Sequence, residues 1–199
     1  LVLEVVILLT QFVVAGLIGK RNPLKALWTM MPAYTTALGT SSSAATIPVT
    51  YQCARNNGVS EEIAGFTIPL CATIHLGGST VKITAFAMAV MQMTGQSITF
   101  GKMAMAIIIL GITMVAAPGV PGGAIAAAQG VLMGFLGFSP ELYSLMVALY
   151  VAIASIGTAT NVTGDGAIAL VVNKLAGGSL GNEKGHAMAT AETIVSATD

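Results

Sequence analysis

Charge is what this sequence has least of. Of 199 residues only 8% are Asp, Glu, Lys or Arg, 55% are hydrophobic, and the mean hydropathy is +0.85. A soluble domain carries about 25% charged residues, so most of this surface faces something other than water. Charge of either sign is balanced, with eight cations and eight acids, which leaves no electrostatic footprint for nucleic acid. Cysteine is almost missing as well. Cys53 and Cys71, both in apolar context, exclude a disulfide framework and read as small core residues. No charged leader with a cleavage site precedes the first apolar run, so no signal peptide is expected. The chain opens on Leu1 and is expected to be the C-terminal portion of something longer.

What is present in quantity is uninterrupted apolar sequence and glycine, 23 residues of it, a residue more frequent in membrane helices than in soluble ones. Residues 1–19 form a run about as long as a helix needs to cross a bilayer core; Glu4 near its start suits an interfacial position. The segments 27–57 and 101–138 are apolar but interrupted, the first by TSSSAATIP and the second by Ala117-Pro118-Gly119-Val120-Pro121-Gly122-Gly123. Each is followed by a longer apolar stretch with a polar break: 63–94, broken at His75-Leu76-Gly77-Gly78-Ser79, and 142–175, broken at Asn161-Val162-Thr163-Gly164-Asp165-Gly166.

Interrupted segments in matching positions of two halves are the sequence pointer to a transporter binding site, because irregular backbone at membrane depth survives only inside protein or along a cavity. The expected fold is therefore all-α and integral to the membrane. Two re-entrant helical hairpins and two unwound helices form an inverted repeat. Residues 1–26 read as a last scaffold-side helix and linker, 27–176 as a transport core, and 177–199 as a polar cytoplasmic tail. In that topology Lys20, Arg21, Lys25, Arg55, Lys174 and Lys184 fall inside and only Lys102 outside, as the positive-inside rule expects of a multi-pass protein of the cell membrane.

The remaining cation, Lys82, falls within the membrane with His75 and Asp165, and intramembrane ionisable groups are costly enough to imply function. Asp165, between two glycines that open its helix, offers hard oxygen to an alkali cation; the alternative is a protonated carboxyl or one paired with Lys82. His75 would let a proton replace a metal ion as the coupling species, unless it merely bonds a loose carbonyl. Lys82, about two turns beyond, would neutralise Asp165, hold an anionic solute or snorkel to an interface. Ser41, Ser42 and Ser43 at one hairpin tip offer hydroxyls and half-helix N–H groups that attract a carboxylate. The opposing tip offers bare backbone suited to a hinged lid.

At these motifs the chain resembles the dicarboxylate/amino acid:cation symporter family, the glutamate-transporter family. The resemblance rests on TSSSAATIPVT (40–50), FTIPLCATI (66–74), GVPGG (119–123) and NVTGD (161–165), four motifs in order. It implies a homotrimer in which this half moves against an N-terminal scaffold absent from the chain, with lipid around it. Carried over by position, Ser43 and Asn161 match holders of a solute carboxylate, and Thr158 matches a solute contact. Val120, with Pro121, Gly122 and Gly123, matches a lid. Ser41, Ser42 and Ser79 complete the solute set. Asn161 and Asp165 match ligands of one sodium site, and Thr73 a ligand of a second.

The chain departs from the family pattern at Gly77, Ala154 and Gly157. There the family carries a cation-binding aspartate, an aspartate for a solute amino group and an arginine for an acidic side chain. These departures remove a third sodium site and a strong bidentate contact. The reading is a symporter coupled to Na⁺ and/or H⁺, with no cofactor. Its solute is a small carboxylate-bearing molecule, a neutral amino acid ahead of a dicarboxylate. Two other readings stand beside it: an ion channel on the same scaffold, and an intramembrane hydrolase with Ser42 or Ser43 as nucleophile and His75 as base, a pair that needs hydrogen-bond contact.

Overall fold

The computed structural model describes residues 1–196, with side chains described through Gly177. The tail expected at 177–199 lies outside those described side chains. Every regular element among the described residues is helical. In chain order they are α1 (Val2–Gly19), α2 (Pro23–Thr29), α3 (Met31–Thr40), α4 (Ser43–Asn56), α5 (Glu61–Ile74), α6 (Gly77–Met93), α7 (Phe100–Met114), α8 (Gly123–Ala127), a π-helical segment (Gly130–Phe135), α9 (Pro140–Ala152) and α10 (Ala154–Ser196).

Local chemistry sets several of these boundaries. Asn22, Ser42, Ser60, Thr99 and Ser139 each cap a helix, the side-chain oxygen accepting from a backbone N–H three residues on, which satisfies one of the donors a helix start leaves free. Pro23 and Pro140 follow their caps directly, where a missing N–H costs nothing. Left-handed residues end α1 at Lys20 (φ 52°) and α3 at Ser41 (φ 50°).

α1 is built for lipid. It turns Leu8, Phe12, Ala15 and Glu4 inward and leaves Val5, Val6, Leu9, Val13, Val14 and Leu17 exposed. An outer face of aliphatics with a carboxylate inside inverts the amphipathicity of a water-soluble helix. Glu4, expected at an interface, is only 6% exposed. α1 and the 33-residue stretch Glu61–Met93 are long and apolar enough to cross a membrane, and α9 with α10 makes a third candidate bent by 64°. By contrast α4, at 14 residues, reaches about 21 Å at 1.5 Å per residue, short of a core about 30 Å thick.

The buried apolar residues fall into two clusters. One gathers α1 to α5 with α10, around Phe12, Met30, Ala54, Ile68 and Val162; the other gathers α6 to α9, around Ile83, Met91, Leu110, Leu132 and Met146. Two stretches pass between them. The first breaks between Ile74 and Gly77 where α5 hands over to α6, and the second breaks at Ile153 where α9 hands over to α10. The break expected inside 142–175 is therefore real but misplaced: α10 runs unbroken through Asn161–Gly166.

The glycines of that motif serve packing instead. A Cβ on Gly164 would lie 2.5 Å from Gln11 Oε1 and 2.6 Å from His75 Cε1, and one on Gly166 would lie 2.5 Å from the Met30 sulfur. They let α1, the α5–α6 break and the α2–α3 junction at Met30 approach α10 closely.

Candidate functional site

The seam between the two clusters is polar, and the loops around Ser42 and Gly119 both reach it. Ser42 caps α4 through Ala45 N and donates its hydroxyl to the Gly119 carbonyl at 2.9 Å, while Ala44 N donates to the same oxygen at 3.2 Å. The 40–43 and 117–123 loops thus meet directly. Between them lies a narrow, nearly closed pocket of about 10 Å³, lined by Ser41, Ser43, Ser79, Val120, Gly122, Thr158 and Asn161, all expected members, together with Leu76, Pro118, Gly119, Ala124, Tyr150 and Ala154. Pro121 and Gly123 belong to the same loop but do not line it. No cation and no acid does.

Asn161 organises one wall. Its Oδ1 accepts from Gly78 N at 2.8 Å and Ser79 N at 3.3 Å, and its Nδ2 donates to Ser79 Oγ at 3.0 Å. Leu76, the residue before α6, offers no side-chain cap, so an amide from α10 caps α6 in its place. Tyr150 donates its hydroxyl to Ser79 Oγ at 3.1 Å. Thr158 donates to the Ala154 carbonyl at 3.2 Å and reaches the Ser41 carbonyl at 3.5 Å.

Lys82 does not snorkel, and it does not pair with Asp165. It is 5% exposed, with Nζ 3.0 Å from the Ile153 carbonyl, 3.4 Å from that of Ala154 and 3.9 Å from the Tyr150 ring centre. The carbonyls freed by the α9–α10 break hold the ammonium, and the ring face adds a cation–π contact. Gly157 makes room: a Cβ there would lie 3.0 Å from Nζ.

Asp165, buried to 1% exposure, is held by His75 instead, Nδ1 to Oδ1 at 2.8 Å. His75 closes α5 in an extended conformation, and its other ring nitrogen lies 3.0 Å from Gln11 Nε2 on α1. With Gln11 donating to Nε2, the ring carries its proton on Nδ1 toward the carboxylate. Of the hydrolase arrangement, His75 and Ser42 are not in contact with each other: the first is engaged by Asp165 and Gln11, the second by Gly119 and Ala45. Thr73 is not brought to Asp165: it is exposed, and its hydroxyl donates to the Leu70 carbonyl at 2.8 Å. Among the described residues no group of three His, Cys, Asp or Glu side chains is placed to hold a metal. Oxygen at Asp165 and around Asn161 suits a hard monovalent cation, though both side chains are already engaged by protein donors.

Tyr150, Gln11 and Glu4 are polar participants that sequence reasoning missed. Tyr150 is a single aromatic among aliphatics one turn before Ala154; Glu4 lies four residues before the inward Leu8, and Gln11 lies three after Leu8 and four before the inward Ala15, the helical spacing that marks their face.

A family model described as the sodium:dicarboxylate symporter family matches residues 1–175. The chain is 31% identical over 167 residues to the rat excitatory amino acid transporter 1, covering 83% of this chain and 31% of that protein. It is 30% identical over 150 residues to the human neutral amino acid transporter B(0), covering 75% and 28%. A putative sodium-dependent excitatory amino acid transporter, glt-4, of Caenorhabditis elegans is 30% identical over 174 residues, covering 85% and 35%. The chain thus spans about a third of the length of these curated relatives. Matched along nearly all its described length by that model, and all-helical with apolar membrane-length helices, this chain belongs to the sodium:dicarboxylate symporter family.

Proposed function

We propose that this chain carries the solute and coupling-ion sites of a secondary-active, cation-coupled symporter that imports a small carboxylate-bearing molecule. The observation that carries the reading is the meeting of the two hairpin tips, Ser42 Oγ on the Gly119 carbonyl, over a pocket walled by Ser79, Thr158 and Asn161. The short arms of α3, α4 and α7 support re-entrant hairpins entering from opposite sides, with α5–α6 and α9–α10 as matching broken helices of an inverted repeat. Neutral hydroxyls and an amide line the pocket, so one carboxylate finds donors while a second finds no fixed cation. That favours a neutral amino acid over a dicarboxylate.

Solute access alternates by an elevator movement of this half against an N-terminal scaffold, within a homotrimer in the cell membrane. The 117–123 loop acts as the lid. Sodium is the coupling ion, drawn to Asp165 and the oxygens near Asn161, and His75 lets a proton accompany or replace it. The names of the relatives, sodium-dependent excitatory and neutral amino acid transporters, fit that class.

The test is uptake of labelled L-serine, L-aspartate and succinate by the full-length protein in vesicles, with Na⁺ and pH varied separately. Accumulation against a gradient that needs Na⁺ and ranks serine first supports the reading. Sodium-independent uptake removes Asp165 as a metal site, and a pH profile unchanged by His75→Asn removes the proton. Flux that only dissipates gradients favours a channel.

A further inference from the structure

Glu4 is the acid that neither the pocket nor the His75–Asp165 pair uses. It sits on α1 with 6% of its surface exposed, and neither carboxylate oxygen has a hydrogen-bond partner. It points into a notch left by Gly78: a Cβ placed there would lie 2.7 Å from Glu4 Oε2, 2.7 Å from Thr160 Cβ and 2.9 Å from the Gly157 carbonyl oxygen. Two helices, α1 and α10, therefore bring a carboxylate, a carbonyl and a hydroxyl to a notch in α6, and the Thr160 hydroxyl also lacks a partner.

We propose that Glu4 is a proton-carrying site of the transporter, its acid hydrogen shared with the Thr160 hydroxyl and separate from the His75–Asp165 pair. The inference rests on the transport reading above.

The reasons are chemical. An ionised carboxylate is costly in a bilayer core, and beside Glu4 the Gly157 carbonyl can only accept a hydrogen while the Thr160 hydroxyl can accept one as well as donate. One proton turns a carboxylate among acceptors into an acid that donates to them. A bare metal ion would need about six oxygen ligands, whereas the cavity beside Glu4 is walled by Leu3, Val81, Phe86 and Ile156.

Lys82, on α6, faces the same cavity but spends its ammonium on the Ile153 and Ala154 carbonyls and makes no ion pair with Glu4 among the described residues. The other titratable groups facing Glu4 are Tyr34 from α3 and Tyr150 from α9. Neither phenol supplies a counter-charge. The step is one O–H bond formed with a proton from water on the entry side and broken on the other; nothing is oxidised.

The test uses the full-length transporter in vesicles holding a pH-sensitive dye, with equal Na⁺ on both sides and L-serine, L-aspartate and succinate as probes. Wild type should acidify the lumen as the probe enters, and Glu4→Gln should take in fewer protons per probe molecule than wild type. An unchanged number of protons per probe molecule in Glu4→Gln, or probe entry without acidification in wild type, overturns the inference alone. If no probe enters wild type, the transport reading fails, and infrared spectroscopy decides for Glu4: a protonated-carboxyl band at neutral pH that vanishes in Glu4→Gln supports it, and its absence overturns it. Should Glu4→Gln not fold, Thr160→Val carries the same measurement. The band should shift as the acid loses its hydroxyl partner, and an unmoved band overturns the inference.

Discussion

The two helix breaks solve one problem with opposite chemistry. Where α5 ends and α6 begins, the exposed groups are N–H donors at the start of α6, and Asn161 of α10 supplies the acceptor. Where α9 ends and α10 begins, the exposed groups include carbonyls, and Lys82 of α6 supplies the cation. Each broken stretch is thus capped by a residue of the other. An acceptor at a helix N-terminus and a cation at a C-terminus are also the pairings the helix dipole favours. The breaks are tied together through Ser79, which receives both the Asn161 amide and the Tyr150 hydroxyl, so the pocket wall is one network.

That reciprocity can be broken at the charged end with the largest effect. Lys82→Met strips the Ile153 and Ala154 carbonyls of a charged donor, a loss of about 1.5–3 kcal/mol for a hydrogen bond to an ionised group. The thermal midpoint of the purified full-length protein should fall clearly; an unchanged midpoint would show that the α9–α10 break does not depend on this cap.

Gly164→Ala attacks the crossing from the packing side. The added methyl meets Gln11 and His75, and overpacking costs about 1–3 kcal/mol. The sodium requirement of uptake should weaken along with stability, because the His75–Asp165 contact is what must give way. Stability lost with the sodium dependence intact would separate the two.

At the neutral end the effect is smaller. Asn161→Ala removes the cap of α6, about 0.5–2 kcal/mol by analogy with N-cap losses, and should weaken solute affinity as well. Asn161→Asp, which keeps an acceptor, should recover stability more than affinity. Equal recovery of both would mean that the amide nitrogen contributes nothing to the pocket.

Tyr150→Phe sharpens the link between the breaks: the ring over Lys82 stays, the hydroxyl to Ser79 goes, and about 1 kcal/mol is the scale of the loss. Thr73→Ala should do least. Its hydroxyl serves only the Leu70 carbonyl on an exposed face, so the sodium concentration for half-maximal uptake should not move. A shift would return that hydroxyl to the cation site.

Residues 1–177 were legible in outline because apolar run length and its interruptions are one-dimensional signals. The interruptions of helix at 41–42 and 117–122 could be placed from Ser, Pro and Gly alone, since those residue types change what the local backbone can do. The second break was not legible. Asn161–Gly166 has the composition of an opened helix, yet those side chains bond other helices and those glycines admit neighbours, while Ile153 carries no breaker of its own.

Composition and the length of the apolar runs determined that this chain is helical, lives in lipid and hides polar sequence near two loops. Only the tertiary structure decided that Asp165 belongs to His75 rather than Lys82, that Lys82 caps a break instead of reaching an interface, and that Glu4 faces inward. The reason is that a buried charge chooses whichever partner folding brings within about 3 Å, and sequence separation carries no information about that distance.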